Sequence, residues 1–468
     1  MTETPTTEAP MTTEAVKTTT EAPKTGTPTT GTPTTGTQKT EAPRAGTATP
    51  VPPHQTKPMV DPAELESLDL ADPVLHAERD LTEVWRHLRT ERPMYWQEPR
   101  GSQPGFWVVS RHEDAMAVYR DKEHFTTERG NALGTLLTGG DSAAGTMLAV
   151  TDGVRHAQIR NILMKAFSPR MLHDIREGLR ETVDGLLVDA IEKGECDFAE
   201  DVSGSVPLGA ICDLLGVPRS DRKYLLGLTS RAWSSDYADA PPEDSWTAKS
   251  EILLYFADLA ATRKHSDHDD VVSLLANSQI EGERLSDAEL MANCYGLMIG
   301  GDETGRHAIT GGLLALKQYP DQWKALRSGE AKLDTAVEEV LRWTVPSIHG
   351  GRAATGDVVV NGQLIKADEV VSVWISSGNF DGDVFADPYR FDLNRTPNKH
   401  LTFAHGAHFC LGHYLARMEI EAVLDGLRRM VTDIEQTGPE SWIYSTILHG
   451  MHSLPVSLKP DASGMPKR

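Results

Sequence analysis

"FAHGAHFCLG" (Phe403–Gly412) sets two histidines, two glycines and one cysteine into ten residues, a density that points to a metal. Just downstream, Leu415, Met418, Val423, Leu427 and Met430 recur near helical spacing, so a helix is expected to begin after Cys410. Cys410 then stands at a helix N-terminus, where unpaired N–H groups and the helix dipole lower a thiol's pKa and stabilise thiolate sulfur. Gly406 and Gly412 permit tight turns and the close approach of a large flat ligand to backbone. Two metal readings follow: a single cysteine ligand, or a zinc set of His405, His408, Cys410 and His413. Crowding of all four into one short loop argues against zinc, because tetrahedral sites usually draw ligand pairs from separated elements.

The rest of the chain bounds the choice. Its 468 residues, 39% of them hydrophobic, can bury a large core. A formal net charge of -22 argues against nonspecific binding to nucleic acid or anionic membrane. Four scattered cysteines, Cys196, Cys212, Cys294 and Cys410, suit a reducing cytosol and make no disulfide framework; the first three read as inert buried thiols. No apolar run approaches the roughly 18 residues that cross a bilayer, and the N-terminus lacks a signal-peptide layout. A cytoplasmic, monomeric protein is expected.

Residues 1–57 read as a disordered Thr/Pro/Gly-rich tail: "TEAP" recurs at Thr7, Thr20 and Thr40, and "GTPTT" repeats in tandem from Gly26. That tail holds five acidic residues (Glu3, Glu8, Glu14, Glu21, Glu41) and five basic ones (Lys17, Lys24, Lys39, Arg44, Lys57), so the acidic excess belongs to residues 58–468. There the pattern predicts a mainly α domain with a smaller β-rich portion. Strands are expected in "GFWVVS" from Gly105, "GDVVVNGQLI" from Gly356 and "EVVSVWISS" from Glu369. A long helix should start at Ser286, whose hydroxyl can pair with Glu289 in a capping box, and stop at Tyr319-Pro320. It contains "GGDET" (Gly300–Thr304). On structural grounds alone its glycines would mark a helix-packing point and leave Asp302 and Glu303 solvated.

The stretch Phe403–Arg417 resembles the haem loop of the cytochrome P450 superfamily, written F-x-x-G-x-H/R-x-C-x-G, with Phe403, Gly406, His408, Cys410 and Gly412 at its fixed positions. One departure is Ala404, where bacterial members usually carry glycine. The resemblance extends over about residues 60–460 and implies the cytochrome P450 fold of a soluble bacterial haem-thiolate monooxygenase. It makes Cys410 the axial ligand of the iron of haem b (iron protoporphyrin IX). His156 and Arg160 of "DGVRHAQIR", Arg352 of "HGGRAAT" and His408 become donors to the haem propionates. It assigns Glu339 and Arg342 of "EEVLR" to a buried structural pair joined by Arg390 of "DPYRF". On the long helix it makes the glycines room for dioxygen and a local widening, Thr304 a hydrogen-bonding group and Glu303 a proton carrier. Asp302 and the following "GRH" depart from the usual pattern.

The implied activity is hydroxylation or epoxidation of a small organic substrate, such as a polyketide or peptide intermediate of secondary metabolism. Two electrons must come from outside, since the chain has no flavin fingerprint or ferredoxin-type cysteine set; a ferredoxin and its reductase are the implied partners. Substrate is expected against residues 131–150, 228–246, "VPSIHGG" from Val345 and "TILHGMHSLPV" from Thr446, with His349 and His449 facing it. The alternative reading is a haem-free relative that activates or scaffolds a partner enzyme.

Overall fold

The computed structural model describes residues 57–167, 169–233, 241–265 and 268–465. Residues 1–56, most of the expected tail, lie outside them. Lys57, which was assigned to that tail, belongs to the folded body: its ammonium donates to the His76 carbonyl at 2.9 Å and sits 3.7 Å from the centre of the Trp442 ring. Burial outweighs the nearby Asp80 and Glu440 charges and pushes the ammonium's pKa down to about 7.

Helices dominate, as expected. The long one spans Asp287–Gln318 with Ser286 as N-cap and a complete capping box with Glu289, and it stops where Pro320 could no longer donate. It crosses the molecule's centre, packed by Ser205–Leu215, Pro242–Arg263, Leu333–Thr344 and the His413–Met430 helix. Its second half, from Ala308 to Leu316, is buried on every side, which explains why its sequence there lacks a polar stripe. The three expected strand regions form Phe106–Val109, the Val358–Val360/Gln363–Ile365 hairpin and Val370–Trp374. Asn361 and Gly362 turn the hairpin with φ +45° and +75°, as a two-residue loop requires. The expected "ISS" end of the last strand instead begins a short helix, Ile375–Gly378.

The main sheet has five strands in the order Met94–Gln97, Phe106–Val109, Val370–Trp374, His349–Ala354, Phe125–Thr126. Only the Phe106–Val109/Val370–Trp374 pairing is parallel. Register sets Arg352 opposite Val371. The C-terminal strands Val431–Gln436 and Pro455–Pro460 form a second sheet with Cys196–Asp197.

A fully buried ion pair ties the helices to the loops. Glu339 and Arg342, one helical turn apart, meet bidentately at 2.8 and 2.8 Å with neither side chain exposed. Arg342 also donates to the carbonyls of Asn379, Pro388 and Arg390, so each of its N–H groups has an acceptor. The third member expected from sequence, Arg390, is not part of the cluster: its side chain is exposed and only its carbonyl takes part. Arg395 fills the position instead, its Nε lying 3.1 and 3.2 Å from the Glu339 oxygens. The chain turns at Asp387 (φ +47°) and again through Asp392, whose N–H bonds Glu339, and these turns bring Arg395 inward.

Removing one partner would leave a buried charge uncompensated, at a cost of about 3–5 kcal/mol. Glu339→Ala is therefore expected to lower Tm sharply, read by thermal denaturation. A variant with normal Tm would refute this account.

Candidate active site

Asn379 carries the buried pair's order into the cysteine loop. Its side chain donates to the Arg342 carbonyl at 3.1 Å and to Thr402 Oγ1 at 3.0 Å, and accepts from Leu401 N at 2.7 Å. Thr402 in turn donates to the Leu341 carbonyl. The next residue, Phe403, accepts from Cys410 N at 3.0 Å and so closes the loop on itself. Gly406 has φ +75°, and a Cβ there would lie 2.4 Å from the Tyr119 carbonyl oxygen, so turn and packing both demand glycine. Gly412 is different: beyond its own chain neighbours nothing lies within 4 Å of where its Cβ would be, and the residue lines the cavity. Ala404 adopts φ +54°, a left-handed conformation costly for a residue with a Cβ.

The outer side of the loop is clamped by ions. Arg417 lies 4.5 Å from the Phe403 ring centre and donates to Glu338, which His400 also meets at 3.1 Å. Burial raises the Glu338 carboxyl, but His400 and Arg417 outweigh it and hold the group at about 2.

Cys410 opens onto a cavity of about 360 Å³. That falls within the roughly 300–1,000 Å³ typical of a ligand site. The thiol sits near the start of the His413–Met430 helix as expected, yet burial pushes its pKa up, against the lowering effects of the Gly412 N–H, Arg160 and Arg417. The expected net lowering is therefore not found: desolvation outweighs the helix terminus. Arg160 reaches the same loop, donating to the Phe409 carbonyl at 2.7 Å.

His156, Arg160, Arg352, Phe403, His408 and Cys410 all line this cavity. His156 is 5% exposed with Nε2 unpartnered, and burial beside His408 and Arg160 pushes its pKa to about 4. Arg352 is buried and donates to the Gly351 carbonyl, and its guanidinium stands 5.2 Å from the Tyr119 ring centre. The Tyr119 hydroxyl is likewise buried without a partner. His408 is partly committed: Nε2 lies 2.7 Å from Asp152 Oδ1 and 3.3 Å from Thr127 Oγ1. Buried cationic and polar donors facing an apolar space call for an anionic ligand. His405 and His413 do not line the cavity, and among the described residues no three His, Cys, Asp or Glu side chains are placed to hold a metal ion. The zinc arrangement is thus not assembled.

The long helix forms the opposite wall. Gly300 has open space at its Cβ, whereas a Cβ on Gly301 would lie 2.8 Å from Ile211, so one glycine clears the cavity and the other permits helix packing. The helix runs unbroken through this point without the expected widening; the Thr304 hydroxyl, on the cavity side, donates to the Gly300 carbonyl at 2.9 Å. Asp302 and Glu303, solvated in the structural reading, are fully buried, and neither lines the cavity.

Substrate-side expectations divide similarly. Asn293 accepts from Leu148 N and donates to the Thr146 and Glu289 carbonyls, pinning Met147, Leu148 and Ala149 over the cavity. Residues 345–348 and the C-terminal turn hydrogen-bond to each other, placing Pro346, Ser347 and Ile447 on its wall. His349 lines it, with Nε2 bonded to the Thr446 carbonyl at 2.7 Å and a pKa pushed by burial to about 4. His449 does not: its ring stacks on Trp442, 4.7 Å between centres, beside a separate cleft. Residues 234–240 of the expected substrate stretch lie outside the described residues. Asp152, Tyr119 and Asn293 carried no periodic or motif signal that would have marked them.

Fold and cavity together describe a mainly helical protein with Cys410 and the side chains of His156, Arg160 and Arg352 around one cavity. The Cytochrome P450 family profile matches residues 332–430. The chain is 68% identical over 403 residues to Cytochrome P450 NovI of Streptomyces niveus, covering 86% of this chain and 99% of that protein. Among solved structures, it resembles P450 OxyD, involved in the biosynthesis of vancomycin-type antibiotics, with TM-score 0.77, 34% identity and coverage of 84% and 100%. It also resembles the LnmA cytochrome P450 hydroxylase of the leinamycin pathway of Streptomyces atroolivaceus, with TM-score 0.72, 29% identity and coverage of 81% and 96%. The chain belongs to the cytochrome P450 family and is a haem-thiolate monooxygenase. Among the described residues no helix is long and apolar enough to cross a membrane.

Because the Glu338 carboxyl is depressed in the fold, its contribution is present above the ordinary value of 4.5 and lost as pH falls toward about 2. Glu338→Gln should melt a few degrees below wild type at pH 7, with the gap narrowing as pH drops below 4.5 in a thermal series. A gap independent of pH would show that ionisation of Glu338 contributes nothing.

Proposed function

We propose that this enzyme hydroxylates or epoxidises a small organic intermediate of secondary metabolism, such as a polyketide or peptide product, in the cytoplasm. The observation that carries the reading is the Cys410 thiol at the edge of a cavity bordered by His156, Arg160 and Arg352. The similarity to OxyD, involved in the biosynthesis of vancomycin-type antibiotics, and to LnmA of the leinamycin biosynthetic pathway supports the metabolic setting.

The residues fit haem b. Cys410 would hold its iron, and the unpartnered His156 Nε2 with the Arg160 and Arg352 guanidinium groups would receive its two carboxylates. His408 would join them through Nδ1, since Asp152 holds its other nitrogen. Phe403, Gly406 and Gly412 shape the loop, Gly412 leaving a face free for a flat ring. When bound, the cofactor supplies dioxygen activation, with electrons from a separate ferredoxin and its reductase.

The chain's own part is positional and protic. Met147, Leu148 and Ala149, fastened by Asn293, cover the cavity and exclude water from the reacting carbon. Thr304 presents its hydroxyl on the cavity side. Glu303, one residue earlier, would carry protons from the helix's outer side to that hydroxyl. The enzyme would act as a monomer.

Reduced, carbon-monoxide-treated protein should show the red-shifted Soret band peculiar to thiolate ligation, and Cys410→Ser should lose it; absence of the band from wild type would sink the haem reading and favour a non-catalytic scaffold. Thr304→Ala and Glu303→Gln should each lower product formed per reducing equivalent by about tenfold or more while peroxide release rises. Spin-state titration against candidate metabolites would identify the substrate.

A further inference from the structure

The face of the long helix turned away from the cavity holds a polar cluster composed partly of the two residues by which "GRH" departs from the family pattern. Asp302, Glu303 and His307 are 0%, 0% and 1% exposed. Glu303 Oε1 accepts from Ser230 Oγ at 3.2 Å. Arg306 Nη1 donates to the same hydroxyl at 3.1 Å and stands 3.7 Å from Glu303 Oε1. The other carboxylate oxygen, Oε2, lies 3.4 Å from His307 Nε2, close enough for an ion pair yet too loose for a well-formed hydrogen bond. These contacts follow from i+3 and i+4 spacing on one helix face. Asp302 turns to Thr229, accepting from its hydroxyl at 2.5 Å.

A second element makes room for His307. A Cβ on Gly450 would lie 2.2 Å from His307 Cγ, so the imidazole occupies the space that glycine leaves in the C-terminal turn. Glu303 is thus enclosed by Ser230 from one helix and by Arg306 and His307 from its own, while Gly450 backs the imidazole. Burial raises the Glu303 carboxyl, but His307, Arg306 and Ser230 outweigh it and keep the group below its ordinary value. Its neighbour Asp302 is pushed up by burial and by the Glu303 charge.

We propose that His307 and Arg306 are positioning residues for proton delivery, holding the Glu303 carboxylate on the outer helix face and setting how readily it swings toward Thr304. This rests on the reading of Glu303 as the proton carrier. Arg306, permanently charged, keeps the carboxylate ionised. His307 lies 3.4 Å from Oε2 and Arg306 3.7 Å from Oε1, so neither locks the carboxylate with a well-formed hydrogen bond. Neither residue lines the cavity, so substrate affinity should not depend on either.

The test compares His307→Leu, His307→Gln, Gly450→Ala and Glu303→Gln in holoenzyme. His307→Leu removes the Nε2 donor, His307→Gln supplies an amide in its place, and Gly450→Ala displaces the ring without touching Glu303. His307→Leu and Gly450→Ala are expected to cut product per reducing equivalent by about fivefold or more and to alter the solvent deuterium isotope effect, with His307→Gln within about twofold of wild type. Substrate-induced spin-shift affinity should stay within about twofold throughout. Infrared difference spectra, with the Glu303 band assigned by its loss in Glu303→Gln, should show that carboxylate band displaced in His307→Leu and Gly450→Ala. If Glu303→Gln uncouples turnover while both His307→Leu and Gly450→Ala remain coupled with an unshifted band, the positioning role is overturned alone. If Glu303→Gln itself stays coupled, Glu303 is not the carrier and both readings fall. Should His307→Leu not fold, Gly450→Ala and His307→Gln decide the same question.

Discussion

The Glu339–Arg342 pair is the constraint on which the active-site loop depends. A glutamate and an arginine with no solvent contact are tolerable only when every charge-bearing atom is met, and here they are: Arg342 reaches three carbonyls besides Glu339, while Glu339 also takes Arg395, Asn398 and a backbone N–H. Satisfying those atoms fixes the course of residues 379–398. Asn379 passes that order to Leu401 and Thr402, and Phe403 passes it to Cys410 through one backbone hydrogen bond. A requirement of buried electrostatics thereby fixes the position of a sulfur atom.

The cavity and the outer face of the long helix are chemically opposite. On the cavity side, His156 Nε2 and His349 Nδ1 are buried without hydrogen-bond partners beside apolar walls. On the outer side, carboxylates are buried among their own donors. The helix separates the two, with glycines and one hydroxyl toward the first and Asp302, Glu303, Arg306 and His307 toward the second. A single helical repeat thus keeps proton-bearing groups close to the reaction without exposing them to it.

Local signals were readable because they depend on short-range physics. The Ser286 capping box and the helix after Cys410 each need only a few neighbouring residues, and each stands where its residues predict. Failures came where a side chain's partner lies far along the chain. Arg390 and Arg395 are equally plausible partners for Glu339 until the turns between them are known. His449 looked like a substrate contact by its position in the C-terminal turn, but Trp442 takes its ring. His408 pairs with Asp152, which is 256 residues away, and no spacing rule reaches that far.

By itself the sequence determined the helical character, the cysteine that can ligate and the glycine its loop cannot do without, because ligand chemistry, helix capping and positive-φ turns are properties of a residue and its immediate neighbours. Only the tertiary structure decided which arginine completes the buried pair, which histidines reach the cavity and which face of the long helix Glu303 occupies. Those choices are made by desolvation: a buried charge takes whatever partner the packed chain brings within hydrogen-bond distance, and that partner is known only once the chain is packed.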